Sequence, residues 1–112
     1  MTLSIINEFR KKRGFHAIGD LDMQESENCT LHCRHMAQIG DVEHAPLHYR
    51  YNKAEAVGAS STHHNIEDTA WHLIHHVLGE SIEHASVMLY PNLGCGIFVD
   101  NHTVYITIRG WL

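Results

Sequence analysis

Ile66-Glu67-Asp68-Thr69-Ala70-Trp71-His72-Leu73-Ile74-His75-His76-Val77-Leu78 is the stretch on which the architecture turns. Wound at about 100° per residue, it places Ile66, Ala70, Trp71, Leu73, Ile74, Val77 and Leu78 on one broad arc. Asp68, Thr69, His72, His75 and His76 fall on the opposite arc. The pattern predicts a helix over 66–78 with its aliphatic arc on a core and its imidazoles turned to solvent or a partner. Asn65 is placed to cap its start, Asp68 stands at the third helical position, and Gly79 is placed to end it.

Beyond this helix the pattern turns two-fold. Residues 86–90, 94–99 and 103–111 alternate, with Val104, Ile106 and Ile108 in one row and Tyr105, Thr107 and Arg109 in the other. Asp100-Asn101 is expected to form the tight turn between the last two strands. Ahead of the helix, 29–39 and 47–51 also alternate and are expected to pair as strands, and 15–23 is expected to be extended. Residues 52–62 are small and polar and are assigned to a connection. Near the start, Leu3, Ile5, Ile6 and Phe9 recur at helical spacing, which predicts a helix over about 3–13 ended by Gly14. The expected fold is therefore α+β. An antiparallel β-meander of four to six strands packs on two helices (3–13 and 66–78) in one domain spanning 1–112.

Composition bounds the function. Of 112 residues, 12 are histidine, more than the 8 lysines and arginines together, so metal binding and pH response are the first chemistries to weigh. The net charge is −5 with histidine neutral, and four of the cations sit together as Arg10-Lys11-Lys12-Arg13. That cluster suits the C-terminal end of the first helix, and without interleaved aromatics it argues against nucleic acid. No apolar run approaches the ~18–20 residues that span a bilayer, and no signal-peptide pattern precedes the basic run, so a cytoplasmic protein is expected. Three cysteines (Cys29, Cys33 and Cys95) are too few and too odd for a secreted disulfide framework.

Three constellations carry chemistry. Asp68, His72 and His76 share one helical face and, with His63 from the preceding loop, compose a ligand set for zinc or another divalent transition metal. Cys29 and Cys33 lie too far apart in an extended strand to share an ion. Cys95, between Gly94 and Gly96, has the setting of a nucleophile but no base beside it in the sequence; flanking glycines also permit close packing.

Because no catalytic group finds a partner, the leading expectation is a non-enzymatic interaction protein that binds another protein through an acidic surface. An inhibitor of a host defence complex, encoded by a phage or mobile element, is one form of it. His75 and Arg10, Lys11, Lys12 and Arg13 are its candidate contact residues, and the terminal strand is a candidate seam for a homodimer. The alternatives are the metal protein built on Asp68, His72, His76 and His63, and a small cysteine- or histidine-dependent enzyme.

Overall fold

A computed structural model describes residues 1–112. The chain runs through α1 (Thr2–Lys12), α2 (Met23–Ile39), β1 (Ala54–Ser61) and α3 (Ile66–His72), which continues as a π-helical turn, Leu73–Leu78. It then forms α4 (Ile82–Val87), β2 (Asn92–Asp100) and β3 (Thr103–Trp111). The class is α+β, as expected, but the sheet has three antiparallel strands in the order β1-β3-β2, and four helices surround it.

Both faces of the sheet are covered. Val104, Ile106 and Ile108 of β3, with Ala56, Leu93 and Cys95, pack with Ile5, Ile6 and Phe9 of α1 and with Leu73, Ile74 and Leu78 of the π turn. On the other face, Tyr105 and Val57 meet Cys33 and Met36 of α2. The two alternating rows of β3 are thus both buried, because a helix layer lies on each side.

Helix α2 replaces the strand expected over 29–39. Asp22 caps it, accepting a 2.8 Å hydrogen bond at Oδ1 from the Glu25 backbone N–H, and Gly40 ends it at φ 67°. Its buried residues, Glu25, Cys29, Cys33 and Met36, step by four, four and three, which is a helical stripe. A step of four is common to both periods, so Cys29 and Cys33 alone look equally like a strand. The helix lies close on β2. A Cβ at Gly94 would stand 2.8 Å from Glu25 Cβ, and one at Gly96 would overlap Thr30 N.

Other expectations are corrected on the same physical ground, that pairing and packing override weak local preference. Residues 54–61, assigned to a connection, are β1, held along β3 from Ala54↔Gly110 to Ser61↔Thr103. Residues 47–51 form turns, with Tyr51 and Asn52 at positive φ. Residues 86–90 close α4 and the turn after it. Residues 15–22 are irregular, and Asn7 fixes them by bonding both the N–H and the C=O of Ile18. The β2–β3 turn is Asn101-His102, one residue later than expected, with Asn101 at φ 54° and Asp100 paired to Thr103. The terminal strand is central, so both its edges are occupied and it offers no seam for a homodimer. No helix is long and apolar enough to cross a membrane.

Candidate functional site

On the α2 side of the sheet, a charge network lies where an apolar layer would otherwise sit. Arg109 of β3 stands opposite Glu55 of β1 in register. Its Nε donates to Glu55 Oε2 and its Nη1 to Glu25 Oε1 of α2, each at 3.0 Å. All three side chains are more than nine-tenths buried. Burial works against the Arg109 charge, but the bonds to Glu25 and Glu55 outweigh it and push its pKa up. Lys53, at 3.8 Å from Glu25 Oε2, brings a second cation. Removing either carboxylate strands a buried charge, so the network fixes α2 against β1 and β3.

The network reaches the surface through Glu55. Its Oε1 accepts from the Ala45 backbone N–H and from His44 Nδ1, both at 2.9 Å. His44 is half exposed. A carboxylate on Nδ1 fixes the tautomer and leaves Nε2 as the free nitrogen, the arrangement that orients an imidazole for ligation or proton transfer.

Beside His44 a cleft of about 530 Å³ opens between α2 and the 40–53 loop, lined by Asn28, Leu31, His32, His35, Glu43, Ala45, Pro46, Tyr49 and Arg109. Successive turns of α2 bring His32 and His35 to the wall. The ring of His32 donates from Nε2 to the Glu43 carbonyl at 2.7 Å, and Nε2 of His35 lies 3.2 Å from Glu43 Oε1. Arg50 holds the loop, donating from Nε to the Ala45 carbonyl and from Nη1 to the Lys53 carbonyl.

The residues singled out in the sequence fare differently. Rings of His63 and His72 lie 4.7 Å apart and those of His72 and His76 5.7 Å, so three of the four proposed metal ligands form a row. His76 also bonds Glu80 at 3.1 Å. Asp68 joins no such contact, and no three His, Cys, Asp or Glu side chains are grouped to share one ion. His63 is anchored through its backbone to Thr69 Oγ1.

His75, expected outside, is buried in a stack on the Trp71 ring at 4.3 Å, and desolvation, then Lys12, pushes its pKa down. The π turn is the reason. Each of its residues advances less around the axis than in an α-helix, which swings His75 inward and Val77 outward. Thr69 is also fully buried, its hydroxyl bonded to the Asn65 carbonyl.

The basic cluster serves the fold. Arg10 is buried and donates to the carbonyls of His16, Met88 and Tyr90, and Arg13 donates to the Gly79 carbonyl. Lys12 sits 3.9 Å from Glu8 and over the Trp71 ring, and Lys11 alone is left exposed and unengaged. Arg10 and His75 are therefore corrected from contact residues to core residues, because their polar groups lie inside.

All three cysteines are buried, and burial pushes the thiols of Cys33 and Cys95 up to about 12 and that of Cys29 higher still. Cys95 lies on the far side of β2 from α2 with its thiol buried, and its glycine neighbours admit the helix.

Sequence reasoning missed Glu25, Glu55, Arg109 and His44. A signal existed. Glu55 is the one charge in Ala54–Ser61, and Arg109 the one charge of opposite sign in Thr103–Trp111, a pattern that suits a pair once the two runs are known to be neighbouring strands. Comparison with protein-family models and with curated proteins gives no match for the chain.

Proposed function

We propose that the protein is a non-enzymatic binding module that docks a segment of a protein partner in the cleft between α2 and the 40–53 loop. One observation carries this: Leu31 and Tyr49, both lining the cleft, are 56% and 70% exposed above a floor held rigid by buried ion pairs. Large apolar groups in water beside a preorganised floor gain by being covered, and aromatic anchors dominate such contacts. The volume lies within the ~300–1,000 Å³ typical of ligand sites.

Surface charge supports a protein rather than a nucleic acid. Arg10 and Arg109 are buried but so are Glu25 and Glu55, so the outer surface keeps the net −5 of the whole chain, while Arg13 and Arg50 are engaged with backbone carbonyls. A phosphate backbone would meet few free cations there.

The test is a photo-crosslinking residue placed at Tyr49, compared with one at Ile82, which is 90% exposed and remote from the cleft. A single adduct formed from position 49, absent from position 82 and lost in Leu31→Glu, is expected. Equal labelling from both positions sinks the proposal. Transition-metal binding is the second reading, favoured by the contiguous rings of His63, His72 and His76. Stoichiometric zinc in untagged protein, lost in His72→Ala, would promote it above the first.

A further inference from the structure

The floor of the cleft has a chemical preference of its own. Arg109 lines the cleft although it is only 3% exposed. A guanidinium has five N–H donors, and within the chain Arg109 uses Nε for Glu55 and Nη1 for Glu25. Nη2 has no partner. It is not sealed in either, since the enclosed side-chain nitrogens without a partner are His75 Nε2 and His84 Nδ1. The free Nη2 thus leaves two N–H donors on a side chain that lines the cleft.

Charge decides what those donors accept. Arg109 and Lys53 are already matched by the buried carboxylates Glu25 and Glu55, and on the loop Arg50 and Glu43 bring one charge of each sign. No positive charge is therefore left over in these surroundings. A ligand carboxylate would find no unmatched cation to offset its desolvation, whereas an amide carbonyl satisfies the donors without adding charge. Leu31, Ala45, Pro46 and Tyr49 give the same cleft an apolar wall.

We infer that Arg109 is a specificity-determining residue that seats a neutral amide carbonyl of a polypeptide segment, with an apolar side chain next to it against Leu31 and Tyr49. This rests on the cleft being the partner site and adds the chemistry of what enters it. The seated group is a main-chain, asparagine or glutamine carbonyl, and free carboxylates are discriminated against at neutral pH.

Two small probes separate the cases. N-acetyl-leucine N-methylamide and 4-methylpentanoate, which keeps the isobutyl group and a carboxylate but has no amide, are titrated into the whole chain at pH 7.5, with the Arg109 guanidinium and Tyr49 ring followed by NMR. The amide is expected to saturate with shifts at both residues, and the carboxylate to bind at least tenfold more weakly. Glu43→Gln lies on the exposed rim, so folding is retained; it is expected to narrow that gap by removing one repelling charge. Ile82→Asn, at an exposed position that does not line the cleft, is a second variant, expected to leave the Arg109 shift in place. A carboxylate that binds as well as the amide overturns the inference, and so does the absence of any Arg109 shift with either probe. If position 49 still crosslinks a partner while the amide fails to bind, the docking proposal stands and the Arg109 inference falls.

Discussion

Gly96→Ala is expected to loosen the whole α2 layer. The added Cβ would lie 2.6 Å from the Cys29 carbonyl carbon and would overlap Thr30 N, all of it helix backbone. Carbon atoms rest about 3.5–4.0 Å apart, so α2 must retreat by ~1 Å. No rotamer relieves it. Overpacking of this kind costs ~1–3 kcal/mol by itself. The retreat also thins the contacts of Cys33 and Met36 and stretches the 3.0 Å bond between Glu25 and Arg109. A total of about 3 kcal/mol follows. With ~2.1 cal/mol/K of unfolding entropy per residue, 1 kcal/mol moves the midpoint of a chain this size by about 4 °C, so a fall of ~12 °C is expected. Gly58→Ala is the control, because its Cβ would meet only side-chain tips, the nearest being Leu78 Cδ2 at 3.3 Å. Its midpoint should stay within ~4 °C of the parent, the equivalent of ~1 kcal/mol on the same scale. Thermal unfolding followed by circular dichroism reads both. A Gly96→Ala protein melting within ~2 °C of the parent would refute the contact between α2 and β2.

The other expected outcomes are as follows. Glu55→Ala removes one partner of a buried cation and should cost ~3–5 kcal/mol in urea unfolding, against less than ~0.5 for Glu43→Ala on the rim. His75 is held with its pKa lowered, so the native state resists its protonation. The unfolded chain takes up that proton below about pH 6.5, and stability contributed by the neutral ring is lost as pH falls from there toward the folded value. His75→Phe, which keeps the stack on Trp71, should flatten that acid limb; an unchanged slope between pH 7 and 5 would contradict it. A thiol reagent should leave Cys29, Cys33 and Cys95 unlabelled in the native protein and label all three in denaturant.

How much was legible varied with how strongly each segment declares itself. Helix α3 carries a side-chain cap at Asn65 and a wide aliphatic arc, and β3 carries seven alternating residues rich in β-branched types, so both were readable. The first helix was readable from Ile5, Ile6 and Phe9. Helix α2 was hidden by Cys29 and Cys33, whose spacing suits either period, although Asp22 and Gly40 mark its ends. β1 was hidden because Ala, Gly, Ser and Glu have little preference for strands; β3 imposes the conformation from outside. The π turn leaves no trace in composition, and it alone decides that His75 goes in. The network at the site was missed for a related reason, since Glu25, Glu55 and Arg109 come together only through the layer order of α2 upon β1 and β3.

That network is an expensive way to fill a core. Three apolar side chains of similar volume often match or exceed a buried ion cluster in stability, because they carry no desolvation cost. Replacing Glu25, Glu55 and Arg109 together by methionine should therefore recover most of what Glu55→Ala loses. It should not recover everything, since the Ala45 N–H and His44 Nδ1 lose their acceptor, at ~1–3 kcal/mol for a buried donor left unpaired. What the apolar triplet lacks is a pair of N–H donors under the cleft. A folded triple variant that no longer takes up N-acetyl-leucine N-methylamide would separate the two roles, with stability supplied by filling the space and recognition by Arg109. If the triple variant kept the amide probe at parental affinity, the guanidinium would be only a filler, and the chemistry assigned to the cleft floor would have to come from its walls.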